Sequence, residues 1–373
     1  MAGADDDSAV VERAQQLIDE FSEVGVDRRV ATELLAAALG LLTDEPDPLD
    51  LKIAAAAMTE MREAFSVFAP YRDVQKVTVF GSARTATHDP VYEQATLIAS
   101  TLAARGWMVV TGAGPGIMQA AMEGAGRDHS IGVAIRLPFE QAANPVIAGD
   151  EKYVSMRYFF TRKLMLVKES RAFVCLPGGF GTLDETFELL TLTQTGKGLP
   201  VPIVLLDPPD DPFWERIDDL IQDQLVERGL VSPADRRLYL VTNSCDEAAA
   251  EIDRFYANYH SIRYVGDHLV LRLRQPPTDA QLAELNEKFA QLVARGHIER
   301  TGPFDIERRH DDHVELPRIR MIFRKHRSGD LRALIDAVNT FVAEPPPEQP
   351  PPDDLPPPVS DDAVVDQASG SPA

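Results

Sequence analysis

The chain has 373 residues, 44% of them apolar, and a formal net charge of −22 from 59 acidic and 37 basic side chains. That length holds two domains, or one large domain with attachments. The charge repels a phosphodiester backbone over long range, which excludes generic nucleic-acid binding but not a small phosphorylated ligand in a local pocket.

No run approaches the roughly 18 apolar residues of a membrane span. The start, Met1-Ala2-Gly3-Ala4-Asp5-Asp6-Asp7, is acidic and lacks the basic and apolar regions of a signal peptide. Two cysteines, Cys175 and Cys245, make no disulfide framework, so a cytoplasmic setting is expected. In chain order, amphipathic helices are expected over Val10 to Phe21 and Arg28 to Leu42, broken near Gly25. A third, alanine-rich helix follows from about Leu49 to Phe68. These read as a helical segment that packs on the main domain or on a partner subunit.

From Lys76 the texture changes to alternating strand and helix, the mark of an α/β fold with a doubly wound parallel sheet. Strands are expected at Val77 to Phe80, Trp107 to Val110, Ile131 to Ile135, Ala172 to Leu176 and Val201 to Leu206, with another near Leu238 to Val241. A long excursion separates the third strand from a helix over Met156 to Lys168. Three of the strands end in glycine turns, at Gly81-Ser82, at Gly112, Gly114 and Gly116, and at Gly178 to Gly181. Ligands of such sheets bind outside the carboxyl ends of the strands, so all three turns are expected on one edge, around a nucleotide-sized site.

Dinucleotide and ATP chemistry fit poorly. Gly112-x-Gly114-x-Gly116 is not G-x-G-x-x-G, no acidic residue follows at the ribose-binding distance, and no Walker lysine is present.

The most informative stretch runs from Ala172 through Pro177-Gly178-Gly179-Phe180-Gly181-Thr182-Leu183-Asp184-Glu185. A buried strand enters a turn in which glycines let the backbone approach a ligand, and a helix pattern starts at once. The unpaired N–H groups and dipole of that helix make an anion site. Thr182 with Glu185 three residues on reads as a T-x-x-E capping box.

From Ser261 to about Val342 a smaller α+β unit is expected, ferredoxin-like or related, with a hairpin turn at Gly266-Asp267. Its strands carry Arg272, Arg274, Arg318, Arg320 and Arg324, read as a solvated face ahead of the alternative of an anion site for a phosphate-rich ligand or RNA, and His310-Asp311-Asp312-His313 reads as a polar loop rather than a metal site. Glu344 to Ala373 holds ten prolines and no Lys or Arg, the composition of a disordered acidic tail.

The run Pro177-Gly178-Gly179-Phe180-Gly181-Thr182-Leu183-Asp184-Glu185 resembles the PGGxGTxxE signature of the LOG (Lonely Guy) family of cytokinin-activating phosphoribohydrolases, and Arg162-Lys163 sits where that family has its own Arg-Lys pair. The resemblance covers residues 76 to 207. It implies a Rossmann-like catalytic domain over 73–260, flanked by the helical segment 1–72, an accessory α+β unit over 261–343 and the tail 344–373.

The resemblance also implies hydrolysis of the N-glycosidic bond of a nucleoside 5′-monophosphate, AMP or an N6-modified AMP, to free base and ribose 5-phosphate, with no cofactor. The phosphate would lie on the amides of Gly179, Phe180, Gly181 and Thr182 and on the Thr182 hydroxyl. Glu185 would steady the cationic ribose, Arg162 would align it, Asp184 would hold ribose hydroxyls and Lys163 would support. Glu140 and Thr191 match substrate-contacting residues of the family. A homodimer or higher homo-oligomer is implied, and neither nucleic acid nor membrane is expected as a partner. The family has also carried the label lysine decarboxylase, but no lysine here lies in a recognisable pyridoxal-phosphate context. A non-catalytic nucleotide sensor of the same superfamily is the alternative, against which the presence of both Glu185 and Arg162 weighs.

Overall fold

The computed structural model describes residues 3–20, 27–137 and 143–342. The chain divides into two compact units, one ending at Glu63 and one beginning at Ala64. In the first, helices α1 (Gly3–Glu20) and α2 (Arg28–Thr43) pack together, and α3 (Pro48–Phe68) begins. Asp27 caps α2, accepting from the amides of Arg29 at 2.9 Å and Val30 at 3.3 Å. Gly25 lies outside the described residues. No helix among the described residues is long and apolar enough to cross a membrane.

The second unit is built on seven parallel strands: β1 (Lys76–Phe80), β2 (Met108–Thr111), β3 (Ser130–Ile135), β4 (Tyr153–Met156), β5 (Ala172–Cys175), β6 (Ile203–Leu206) and β7 (Leu240–Thr242). Every residue of β1, β2, β5 and β6 is buried, which is why these runs are mostly apolar rather than alternating. The polar residues inside β1 are Lys76, whose ammonium donates to the Val74 carbonyl at 2.9 Å, and Thr78, whose hydroxyl donates to the Leu166 carbonyl at 2.9 Å and lies 2.7 Å from Ser170 Oγ.

Strand order is β4-β3-β2-β1-β5-β6-β7. The chain steps outward from β1 to β4 and then returns to lay β5 beside β1. The sheet therefore changes direction between β1 and β5, the position where open α/β sheets form their crevice. The connections that matter for that crevice are helices α4 (Pro90–Ala104), α5 (Ile117–Ala125), α6 (Phe159–Lys168) and α7 (Phe180–Gln194).

Strand β4 is absent from the sequence expectation, which ran a loop into a helix starting at Met156. Its four residues alternate in burial and pair on one side only, with β3, so they carry neither the apolar run of a central strand nor a helical period. After helices α8 (Phe213–Leu220) and α9 (Cys245–Phe255) the chain enters a four-stranded antiparallel sheet. Its elements are β8 (Tyr259–Val265), β9 (His268–Leu273), α10 (Asp279–Lys288), β10 (Val293–Thr301), α11 (Asp305–Arg309), β11 (Arg318–Phe323) and α12 (Ser328–Asn339), in the order β10-β11-β9-β8.

The unit is α+β, but it opens on a hairpin turned at Gly266 (φ 57°) rather than on the strand–helix–strand of a ferredoxin-like fold. One continuous cluster of buried apolar side chains takes in both sheets, from Val77 to Val338. Asn339 reinforces the join, accepting from the amides of Asn258 at 2.9 Å and Tyr259 at 2.7 Å and donating to the Phe255 carbonyl at 2.7 Å.

The arginine-bearing face of the small sheet is not uniformly solvated. Arg272 and Arg318 are 4% and 2% exposed, and Glu307, fully buried in α11, lies between them. Glu307 Oε1 accepts from Arg272 Nε at 3.1 Å, Arg272 Nη2 at 2.6 Å and Arg318 Nε at 3.4 Å. Asp312 accepts from Arg272 at 2.7 Å and from Arg263, and the remaining Arg318 donors reach backbone carbonyls, including His313 at 2.8 Å. Residues 302–317 thus form a strap across that face, with a buried carboxylate as its anchor.

Candidate active site

Strand β5 leads through Leu176 and Pro177 into the glycine turn, and α7 begins at Phe180 with Gly179 as its N-cap. The expected T-x-x-E cap is not formed. The helix starts at Phe180, before the last glycine of the turn, which leaves Thr182 in the third helical position and frees Glu185 from any capping role. Gly179 offers no side chain to cap with, and the first helical hydrogen bond runs from Leu183 N–H to the Gly179 carbonyl at 3.1 Å. The amides of Phe180, Gly181 and Thr182 therefore have no acceptor within the helix.

A Cβ on Gly179 or Gly181 would meet no protein atom, whereas one on Gly178 would lie 2.2 Å from Thr182 Oγ1. The Thr182 hydroxyl is thus tucked beneath the turn, and the residue is 5% exposed. Phe180 is 93% exposed.

The three glycine turns are joined by their own backbones. Ser82 N–H donates to the Pro177 carbonyl at 3.3 Å, and Ile117 N–H donates to the Ser82 carbonyl at 3.0 Å. The fit leaves no room for side chains at two points. A Cβ on Gly81 would lie 2.4 Å from Ile117, and one on Gly116, where φ is 66°, would lie 2.4 Å from the Ser82 carbonyl oxygen.

In the middle turn Ala113 is buried and left-handed (φ 58°). It is held there by Asn144, whose amide N–H donates to the Ala113 carbonyl at 2.9 Å and whose Nδ2 donates to the Gly114 carbonyl at 3.2 Å. Nothing in the local sequence around Asn144 pointed to that role.

Arg162, on α6 and 7% exposed, donates from Nε to the Val133 carbonyl at 3.0 Å and from Nη1 to Glu185 Oε1 at 3.0 Å. A Cβ on Gly112 would lie 2.2 Å from Arg162 Nη2, and one on Gly114 would lie 2.6 Å from the Met118 side chain. These two glycines therefore make space for protein side chains. Glu185 is nearly buried, and burial raises its pKa above the usual carboxylate range; the Arg162 guanidinium pulls it back only in part.

One turn outward, Lys163 Nζ lies 2.6 Å from Asp184 and 2.8 Å from Glu188. Burial would lower the Lys163 pKa, but these two carboxylates raise it overall. Thr191 stands apart, exposed on α7 with its hydroxyl donating to the Phe187 carbonyl at 2.8 Å. It is six residues beyond Glu185, about 240° around the helix. Glu140 lies outside the described residues.

This is an α/β protein of the doubly wound class with a carboxylate–guanidinium pair set beside an open helix N-terminus at the sheet's switch point. Residues 116–252 match the family described as "Possible lysine decarboxylase". The cytokinin riboside 5′-monophosphate phosphoribohydrolase of Mycobacterium tuberculosis is 34% identical over 175 residues, covering 45% of this chain and 89% of that protein. The corresponding protein of Mycobacterium marinum is 30% identical over 171 residues, covering 44% and 87%. A rice protein named "Probable cytokinin riboside 5′-monophosphate phosphoribohydrolase" is 32% identical over 167 residues, covering 44% and 75%. The chain belongs to this LOG family of phosphoribohydrolases.

Proposed function

We propose that this chain hydrolyses the N-glycosidic bond of purine nucleoside 5′-monophosphates, AMP or N6-modified AMP, to free base and ribose 5-phosphate. The contact between Arg162 and Glu185, 3.0 Å long and set beside the unpaired amides of α7, carries the reading. The 5′-phosphate rests on the amides of Gly179 to Thr182 at the positive end of the helix dipole. Asp184, oriented by Lys163, holds ribose hydroxyls.

As the bond between C1′ and the base nitrogen breaks, positive charge spreads over the ribose ring, and ionised Glu185 stabilises it. Glu185 takes a proton from the attacking water as the water oxygen bonds to C1′, and the departing base nitrogen takes a proton from solvent water, to which Glu185 afterwards returns its own. Arg162 keeps Glu185 ionised and aimed. Incubation with AMP and other nucleoside monophosphates, followed by assay of free base and ribose 5-phosphate, tests the reading. Tight binding of AMP without release of adenine or any other base would leave the sensor alternative in its place.

Arg162→Ala supplies a sharper test. Glu185 works as the carboxylate, and its pKa is already raised by burial with Arg162 opposing. Loss of the guanidinium removes that opposition, so the acid limb of the kcat/KM profile is expected to move to higher pH as the rate falls. An unmoved limb would show that Arg162 does not control Glu185.

Around the site α6 and α7 expose Phe159 and Phe160 (55% each), Leu164 (45%), Phe180 and Phe187 (37%). Apolar surface of this kind next to a site is a subunit contact, and a second copy of the chain is the proposed cover. Sedimentation of the 41.1 kDa chain is expected to give a species of at least twice that mass, reduced to monomer by Phe160→Asp with Leu164→Asp. A wild-type monomer at micromolar concentration would count against it. A cytoplasmic setting accords with the two buried free thiols, Cys175 and Cys245.

A further inference from the structure

Beside the Glu185 crevice, one residue stands in a backbone conformation that its side chain disfavours. Ala113, in the turn after β2, is left-handed at φ 58° and buried. Glycine adopts that region freely, whereas a Cβ crowds the following carbonyl. Glycines flank Ala113 on both sides, yet the left-handed position is the one that carries a methyl group.

That methyl packs with Met122, Ala134 and Ile147, and a Cβ on Gly132 of β3 would lie 3.0 Å from it. Gly132 and Ala134 are the chain neighbours of Val133, whose carbonyl accepts from Arg162 Nε at 3.0 Å. On the other side, Gly112 is the residue over which the Arg162 guanidinium passes, since a Cβ there would lie 2.2 Å from Nη2. The seat of the guanidinium, on Gly112 and Val133, is therefore set by how Ala113 sits. From that seat Nη1 reaches Glu185 Oε1 at 3.0 Å.

Two groups hold Ala113 in place. Its own amide donates to Thr111 Oγ1 at 3.0 Å, and Asn144 grips the turn from the loop after β3. Asn144 is 5% exposed. Its backbone N–H donates to the Ala113 carbonyl at 2.9 Å, its Nδ2 donates to the Gly114 carbonyl at 3.2 Å, and its Oδ1 accepts from the Val146 amide at 3.2 Å. The last bond makes an Asx turn. Arg127 fixes the loop beyond it, donating to the Val146 carbonyl at 3.1 Å, the Ala148 carbonyl at 3.2 Å and the Asp150 carboxylate at 2.7 Å. A strained turn is thus held from a loop that is itself tied down.

We infer that Asn144 is a positioning residue for the glycosidase reaction proposed above, on which this inference rests. By holding the carbonyls of Ala113 and Gly114 it keeps the turn left-handed, and the turn in that form gives the Arg162 guanidinium a single seat facing Glu185. Released, Ala113 relaxes towards negative φ, the peptide planes on either side of it rotate, and the seat is lost. The effect falls on catalysis, because a displacement of about 1 Å in a catalytic group is enough to lower turnover. Substrate affinity is spared, because the phosphate rests on α7 amides that Asn144 does not touch.

Asn144→Ser separates the grip on the turn from the fold of the loop. Serine can restore the turn to Val146 through its hydroxyl and keeps the backbone bond to Ala113, but it is too short to reach Gly114. With AMP as substrate, kcat is expected to fall roughly 10–100-fold while KM stays within a few-fold. The acid limb of kcat/KM is expected to move to higher pH, because a displaced guanidinium no longer opposes the effect of burial on Glu185. Limb position and KM do not depend on how much of the enzyme is folded, so a loss of stability alone moves neither. Ala113→Gly supplies the second arm. Glycine holds the left-handed form without help, so Asn144→Ser in that background should lower kcat by less than about threefold. An unmoved limb, or the same loss in both backgrounds, would overturn the inference. A wild type that releases no base would instead remove the glycosidase reading, and this role for Asn144 with it.

Discussion

Glu185→Gln is expected to cut release of adenine from AMP by roughly 10²–10⁴-fold, the range for a positioned acid–base group. Glutamine keeps the shape and can still accept from Arg162 Nη1, which now lies 3.0 Å from Glu185 Oε1. It cannot stabilise a cationic ribose or accept a proton from water. Stability should change little, for two reasons that oppose each other. The raised Glu185 pKa means the ionised form is disfavoured in the folded chain, so a neutral residue relieves a desolvation cost. By linkage, that cost is absent below the unfolded pKa and grows as pH rises through the folded one. Against this, Arg162 loses its carboxylate while buried. KM for AMP should stay within a few-fold, because the phosphate rests on backbone amides. Wild-type turnover in the glutamine variant would remove Glu185 from the chemistry.

Glu307→Ala is expected to cost about 3–5 kcal/mol of unfolding free energy, read from urea denaturation. The residue is fully buried, and it accepts from two arginines that are themselves 4% and 2% exposed. Its removal strands both guanidinium groups. It also removes the anchor of the strap, because Glu307 Oε2 accepts from the Phe304 amide at 2.9 Å. Replacing Arg272, Glu307 and Arg318 together by apolar residues should cost less than the single change, since no unpaired charge is then left buried.

The pH dependence has a defined sign. Burial raises the Glu307 pKa, but the Phe304 amide, Arg272 and Arg318 outweigh it and hold it low. Its contribution is present above the ordinary glutamate value and is lost as pH falls through the depressed one. A loss in Glu307→Ala below about 1 kcal/mol, typical of a surface ion pair, would show that the strap is held by other contacts.

The sequence by itself determined the sheet and the place of the crevice. Short, mostly apolar runs such as Val77 to Phe80 and Ala172 to Cys175, each leading into a glycine turn, read as central parallel strands ending in tight turns. That signal is local, because both burial on two faces and the freedom of glycine are written into consecutive residues.

What the tertiary structure decided is where charges and small residues find their partners. Thr182 and Glu185 have the spacing of a cap, but α7 starts at Phe180 and Glu185 turns to an arginine 23 positions earlier. Gly112 resembles part of a ligand loop, but it is small because the Arg162 guanidinium passes over it. Arg272 and Arg318 have the alternation of a solvated strand face, yet Glu307 from a distant short helix covers them. Strand β4 had too little pattern to be read and exists because β3 offers it an edge. The energy of a charge depends on what lies within a few ångströms of it, and for a side chain that neighbour is usually remote in the chain.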